Sequence, residues 1–406
     1  MNYGETLKYI HSLGMFSHSA SLERINSVLK ICGNPQQGLP VIHIAGTNGK
    51  GSVSVMTASV MTEAGYKTGL FVSPYIVDFC ERIQIGGDYI PHECLCRLAQ
   101  RVRAADVVLT EFEFITAAAF LYFKESGCDL AVLETGLGGR FDATNACTDD
   151  IVDVITDIGL DHTAILGDTI EKIAAEKCGI IKTENVITSP RQNKAALDVI
   201  KSVCGSVKIP DVSFLSVISE DISGSVFEYR GNRYRLGLVG EHQIYNALTA
   251  IETVRASGYA VSQKALENGL FKAFIPARLE KVSCFPAVII DGAHNPAAAA
   301  ELYKFMKPYA GRITAVFAAM RDKDYTAVME KLFPLCKSVV LTDMPDLPRA
   351  ERAKKLAETA VKYSSSVFTA SNPSAALEKA VEISDKGPIF AFGSLYLAAQ
   401  IRKIFK

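Results

Sequence analysis

The sequence predicts an α/β protein: a P-loop-containing domain on a mostly parallel sheet, followed by a smaller, Rossmann-like α/β domain. Three observations carry this. Apolar, β-branched runs alternate with helical patterns from residue 41 to 188, and again from 287 onward. A loop rich in glycine, Gly46-Thr47-Asn48-Gly49-Lys50-Gly51-Ser52, stands at the first strand-to-helix turn. A stretch with two prolines and no clear periodicity, 273–288, separates the two series.

In chain order, 41–45 reads as a buried strand, 50–64 as a helix and 68–73 as a strand. An apolar helix at 111–126 precedes strands at 129–135 and 151–158, a helix at 169–178 and a strand at 185–188. Residues 206–238 are rich in Ser, Val and Tyr with turn glycines, and predict a small antiparallel patch. Helices follow at 242–257 and near 262–272, then the linker. Strands near 287–291, 312–318, 337–342, 366–369 and 387–391, with helices between them, form the second domain. The domains are therefore expected at 1–276 and 277–406.

Composition narrows the function. The 406 residues exceed one ordinary core. A formal net charge of −1 gives no global basic field, so neither nucleic acid nor a membrane surface is an expected partner. The opening residues carry an early acid and no long apolar core, so no signal peptide is expected. No apolar run approaches the ~18 residues of a membrane span. The ten cysteines are scattered without a CxxC pair, which predicts reduced thiols and a cytoplasmic protein.

The loop departs from the generic P-loop, because Gly51 intervenes between Lys50 and Ser52 and only three residues separate Gly46 from Lys50. The physics still suits a polyphosphate: glycines expose backbone N–H groups, the helix N-terminus favours an anion, and Lys50 adds a mobile charge. Glu134 ends a strand on the loop's side of the sheet, and Asp161-His162 follows the next strand. A carboxylate and an imidazole so placed could ligate a divalent ion, or be a capping acid and a loop histidine. Lys177 lies near a helix end, where the dipole alone would favour it. Phe112 and Phe114, apolar aromatics in a helical pattern, read as core residues on their own.

The loop resembles the ATP loop of the Mur ligase superfamily, in the form used by folylpolyglutamate and dihydrofolate synthases. Other stretches resemble that family in order: SPYIVDFCERIQIGG (73–87), EFEFITAAAF (111–120), LETGLGGRFDATN (133–145), IGLDHTAILGDTIEKIAAEKCGI (158–180), HQIYNA (242–247), ARLE (277–280), DGAHNP (291–296) and GSLY (393–396). The resemblance implies ATP contacts from Thr47, Asn48, Gly49, Lys50, Gly51 and Ser52. It adds Asn246 at adenine, Arg278 at the phosphates and Asp291 at ribose. It implies two Mg²⁺ sites drawing on Ser52, Ser73, Glu134, His162 and Lys177, the lysine as an N6-carboxylysine. Phe112, Phe114, Thr116 and Asp142 would face the pterin, and His294 and Ser394 the incoming glutamate. Lys50, Lys177 and His162 would be the catalytic group.

Two departures stand out. Tyr75 replaces the family's usual histidine, and Ala277 replaces the glycine before Arg278, so the turn there is expected to differ. The reaction implied is glutamate addition to a folate, or to dihydropteroate, through an acyl phosphate. A monomer is expected, with a hinge at 275–287 and the nucleotide between the domains. Another Mur-type ligase, a non-catalytic nucleotide binder and a P-loop kinase are the alternatives. Only about 45 residues precede Gly46, too few for a separate UDP-binding domain but enough for a helix or two.

Overall fold

Residues 41–45 are apolar or β-branched at nearly every position because the strand they form is covered on both faces. The structure, a computed structural model, describes residues 1–14, 21–221 and 224–405. The end of the segment read for a signal peptide (15–20) and the tip of the 206–238 patch lie outside the described residues.

The chain forms two compact units, one of residues 1–219, 225–237 and 241–274, the other of 220–224, 238–240 and 275–406. The first holds a seven-stranded sheet. Its strands are β1 (Val41–Ala45), β2 (Thr68–Phe71), β3 (Ile83–Ile85), β4 (Asp88–Tyr89), β5 (Leu130–Glu134), β6 (Asp150–Ile155) and β7 (Val186–Thr188), in the order β4-β3-β2-β5-β1-β6-β7. β1 runs parallel to β5 and β6, so Ile44 lies beside both Glu134 and Val154. The β3–β4 hairpin is antiparallel and closes one edge. Helix Glu111–Glu125 opens on a capping box: Thr110 Oγ1 accepts from Glu113 N (3.2 Å) and Glu113 returns the bond to Thr110 N (2.8 Å).

The strands expected at 68–73 and 151–158 end earlier than expected, at Phe71 and Ile155. The residues after Phe71 and Ile155 are strand-like in type but are used by loops. Thr156 N donates to Ala45 O (2.8 Å), and Asp157 O accepts from both Thr47 N and Asn48 N. The antiparallel patch is present as β8 (Leu215–Asp221), β9 (Gly224–Tyr229) and β10 (Asn232–Leu236), in the order β10-β9-β8.

The second unit carries β11 (Glu280–Cys284), β12 (Ala287–Ile290), β13 (Ile313–Phe317), β14 (Cys336–Thr342), β15 (Val367–Ala370) and β16 (Ile389–Phe392), in the order β11-β12-β16-β13-β14-β15. All but β11 are parallel; β11 pairs antiparallel with β12. The stretch read as a linker thus contains an edge strand. Its residues Glu280, Lys281 and Ser283 lack the alternation of a half-buried strand, which hid it. Phe317 anchors the core, edge-to-face with Phe333 at 5.3 Å and with Phe392 at 5.5 Å.

Candidate active site

The glycine-rich loop leaves β1 and enters helix Lys50–Glu63 at its N-terminus, with Gly49 as N-cap at φ +87° and no side chain capping the helix. Its first-turn N–H groups are therefore available to an anion. Gly46, at φ +152°, has no room for a side chain: a Cβ there would collide with Thr156 Oγ1. A Cβ on Gly49 would come 2.5 Å from Asn246 Oδ1, so Asn246 of helix Glu241–Ala256 packs directly on the loop. Asn246 is 7% exposed and its Nδ2 donates to Gln243 Oε1 at 3.1 Å. The loop's far side is held by Thr47 Oγ1, which donates to Gly159 O at 3.1 Å.

Two ammonium groups converge on one carbonyl. Lys50 Nζ donates to Gly46 O (3.0 Å) and Thr47 O (3.3 Å), and Lys177 Nζ donates to Gly46 O at 2.7 Å. Lys177 ends helix Ile170–Lys177 and is 4% exposed. Burial, with the Lys50 charge beside it, lowers its pKa from the ordinary 10.5 to about 8. At pH 7 about a tenth of such an amine is neutral, against roughly one in three thousand at its ordinary value.

Glu134, at the end of β5, is 4% exposed. A Cβ on Gly51 would sit 3.5 Å from each of its carboxylate oxygens, which places the carboxylate against the start of the loop's helix. Ser73 N donates to Glu134 Oε2 at 2.9 Å, and Ser52 is buried in the helix's first turn. A buried carboxylate and two serines gathered there are hard oxygen donors of the kind Mg²⁺ takes, so the residues fit the ion. Lys177 as an ammonium does not fit a ligand position, whereas its carbamate would. His162 is half-exposed, in the left-handed region at φ +47°, and its Nε2 lies 3.8 Å from Asp161 Oδ2.

The expected pterin contacts divide. Phe112 is half-buried; its ring lies against Gly136, two residues beyond Glu134, and is 5.6 Å from Phe71. Phe114 is 1% exposed and packs on Tyr9 at 5.7 Å, so in this structure it serves the core. Thr116 is buried, with Oγ1 donating to Phe112 O at 2.7 Å. Asp142 accepts from Gly136 N, Leu137 N, Thr144 N and Thr144 Oγ1, and so braces the loop that follows Glu134. Burial pushes its carboxyl up, opposed by those bonds.

In the second unit, β12 and the neighbouring parallel β16 end side by side. Asp291 accepts from Ala293 N (2.8 Å) and from Leu279 N (2.9 Å), tying the turn that carries exposed Arg278 to the end of β12. Ala277 adopts φ +55°, a left-handed shape that glycine would take more easily. His294 Nδ1 donates to Gly292 O (2.8 Å), which leaves Nε2 for a ligand. Gly393 N donates to Ala293 O, bringing Ser394 alongside; Ser394 Oγ caps helix Leu395–Ile404 by accepting from Tyr396 N at 3.1 Å.

Residues 44–254 match the Mur ligase middle domain, and residues 277–394 match the Mur ligase glutamate ligase domain. The chain is 36% identical to the folylpolyglutamate synthase of Lacticaseibacillus casei over 99% of its own length and 98% of the relative's. It belongs to the folylpolyglutamate synthase/dihydrofolate synthase family of Mur ligases. The dihydrofolate synthase/folylpolyglutamate synthase of Bacillus subtilis is also 36% identical, over 100% of this chain and 99% of the relative. A structure of Escherichia coli FolC in complex with DHPP and ADP superposes with a TM-score of 0.86, at 31% identity, covering 100% of this chain and 97% of that one.

The metal candidates and the loop residues of this Mur ligase lie within the middle-domain match, and Arg278, Asp291, His294 and Ser394 within the glutamate-ligase match. Three contributors were not singled out from sequence. Thr156 and Asp157 shape the loop through sterics and a backbone carbonyl, which leave no residue-type signal. Arg82, in the quoted ERI motif, is stacked 5.2 Å from both the Tyr75 and Phe79 rings and pairs with Glu111 at 3.3 Å. Burial lowers its pKa, against the charges of Glu111 and Glu134. Tyr75 therefore has a use of its own beneath this guanidinium.

Proposed function

We propose that this Mur ligase adds L-glutamate to the terminal carboxylate of a folate at the expense of ATP, and that dihydropteroate is a second acceptor. The observation that carries the reading is the Glu134 carboxylate set against Gly51, at the mouth of a loop where Lys50 and Lys177 converge. The relatives named above, similar over essentially the whole chain, support both acceptors.

The uncapped helix N-terminus and the loop N–H groups bind the phosphate chain. Lys50 leaves Gly46 O to neutralise charge on the transferring group, a kind of contribution worth ~3–4 kcal/mol per key donor. Asn246, which packs on Gly49, is assigned to the base, Asp291 to ribose and Arg278 to phosphate. Phe112 offers a ring to the pterin, with Phe114, Thr116 and Asp142 behind it. A carboxylate oxygen of the acceptor attacks the γ-phosphorus, the bond to the bridging oxygen breaks, and ADP leaves. The glutamate amine, whose carboxylates are assigned to His294 and Ser394, attacks the acyl carbon. Phosphate leaves, and the nitrogen gives up a proton as the amide forms.

Mg²⁺, when bound at the two sites assigned to it, would be held by Ser52, Ser73, Glu134, His162 and carbamylated Lys177, and supplies charge neutralisation at the phosphate oxygens. The carbamate forms when the neutral Lys177 amine attacks CO₂ and releases a proton, and the depressed pKa supports this. Among the described residues no helix is long and apolar enough to cross a membrane. The protein is proposed to work as a cytoplasmic monomer.

Phosphate release is measured with ATP, Mg²⁺ and glutamate, using tetrahydrofolate and dihydropteroate in turn, and products are weighed. Each acceptor should gain one glutamyl unit. ATP turnover independent of glutamate would overturn the ligase reading in favour of a kinase. With ¹³C-bicarbonate, a carbamate carbon signal present in the wild type should vanish in Lys177→Met.

A further inference from the structure

Two groups of described residues bring an imidazole, a thiol and a carboxylate within 4.8 Å of one another, and both lie apart from the phosphate loop. They differ in what already occupies them. In His43–Cys147–Asp150, Lys182 Nζ is 2.6 Å from Asp150 Oδ2 and 3.1 Å from Cys147 Sγ. A built-in cation sits where an ion would have to go, so this group is already neutralised.

Asp78, Cys80 and His92 have no such lysine. Asp78 and Cys80 lie on the segment between Ser73 and β3, and His92 is the first residue of helix His92–Arg103. Asp78 Oδ2 and His92 Nε2 are 2.9 Å apart, and Cys80 Sγ lies within 4.8 Å of both side chains' ligand atoms while donating to Tyr3 OH at 3.6 Å. Zinc bonds of about 2.0 Å to nitrogen and oxygen and about 2.3 Å to sulfur need donors spaced roughly 3.3–3.6 Å apart, so side-chain shifts of about 1 Å or less would suffice.

Neighbouring groups fix these side chains. Tyr3 OH donates to Asp78 Oδ1 at 2.7 Å, orienting the carboxylate. The Tyr3 ring stacks on His92 with centroids 3.6 Å apart and planes within 6°, fixing the imidazole. Glu81 accepts from Ile76 N, Val77 N and Asp78 N, which holds the ligand-bearing turn in one shape. The His92 and Asp78 side chains are 51% and 35% exposed, so an ion has a way in.

We propose that Asp78, Cys80 and His92 form a second, thiolate-containing site for a borderline-soft divalent ion such as Zn²⁺, with a water in the fourth position. Binding exchanges the Cys80 thiol proton for the metal bond, and the proton goes to solvent. Because the same segment begins at Ser73, an occupied site would stiffen the backbone that reaches Glu134. It is separate from the Mg²⁺ positions, which offer oxygen and nitrogen donors only.

The test is titration of the full chain with Co²⁺, followed by absorbance. One equivalent should give a near-ultraviolet thiolate-to-cobalt charge-transfer band, displaced by Zn²⁺. Cys80→Ser should abolish the band, and His92→Ala, at an exposed position, should weaken binding at least tenfold. Cys147→Ser should leave it intact. No thiolate band in the wild type, a band surviving Cys80→Ser, or one lost with Cys147→Ser would each overturn the proposal. Should Cys80→Ser fail to fold, unchanged affinity in His92→Ala would do so.

Discussion

Replacing Lys177 with methionine should abolish ligation and yet stabilise the protein. The folded chain holds this ammonium with a pKa of about 8 in place of 10.5, which costs about 3 kcal/mol when the group is charged in both states. Its bond to Gly46 O offsets part of that, because a charged hydrogen bond contributes about 1.5–3 kcal/mol. Removing it does not orphan the carbonyl, since Lys50 Nζ also donates to Gly46 O at 3.0 Å. The net gain is therefore roughly 1 kcal/mol, a rise in Tm of about 2–4 °C for a unit of this size.

The dependence on pH carries the sharper test. Below pH 8 the amine is protonated folded and unfolded, so the whole penalty is present. Between 8 and 10.5 the unfolded chain keeps a proton that the folded chain has released, so wild-type stability rises with pH. Above 10.5 the penalty is gone. Thermal melts of wild type and Lys177→Met in CO₂-depleted buffer should show a gap widest near pH 7 and shrinking toward pH 10. A variant no more stable at pH 7, or a gap unaffected by pH, would refute the claim that burial destabilises this charge.

Lys50→Ala should lower kcat by at least a hundredfold in the phosphate-release assay while leaving the melt nearly unchanged. Gly46→Ala should destabilise the first unit by about 2 kcal/mol or more and abolish ATP binding, because the added Cβ meets Thr156; calorimetric titration with ATP and chemical denaturation read the two effects. Ala277→Gly should be neutral to stabilising, by up to about 1 kcal/mol in denaturant melts, by relieving a left-handed alanine. His43, fully buried, is held neutral down to about pH 3. The unfolded chain takes up its proton below about 6.5, so stability present above that value is lost as pH falls toward 3. His43→Gln should flatten this acid limb by roughly 3–5 kcal/mol in pH-dependent denaturation.

The parallel strands and the phosphate loop were legible because burial on both faces writes itself as unbroken apolar runs, as in Val41–Ala45 and Leu130–Glu134. Glu134 was legible as a strand-end carboxylate by residue type and place, whereas Lys177 read only as a helix-end lysine and drew its expected role from the family resemblance. The edge strand Glu280–Cys284 was not, because an edge needs no apolar face on both sides. Nor was the division among Phe112, Phe114 and Thr116, which share one helix and differ only in the neighbour each meets. Backbone contributions such as the Asp157 carbonyl leave no trace in side-chain identity at all.

The shared carbonyl of Gly46 makes the resting loop its own competitor. The Lys50 ammonium that a triphosphate would recruit is first moored to Gly46 O and Thr47 O, so on the proposed reading nucleotide capture begins with an unmooring. Converting Lys177 to the proposed carbamate would cut one of these tethers and reverse its sign, leaving Lys50 alone on the carbonyl.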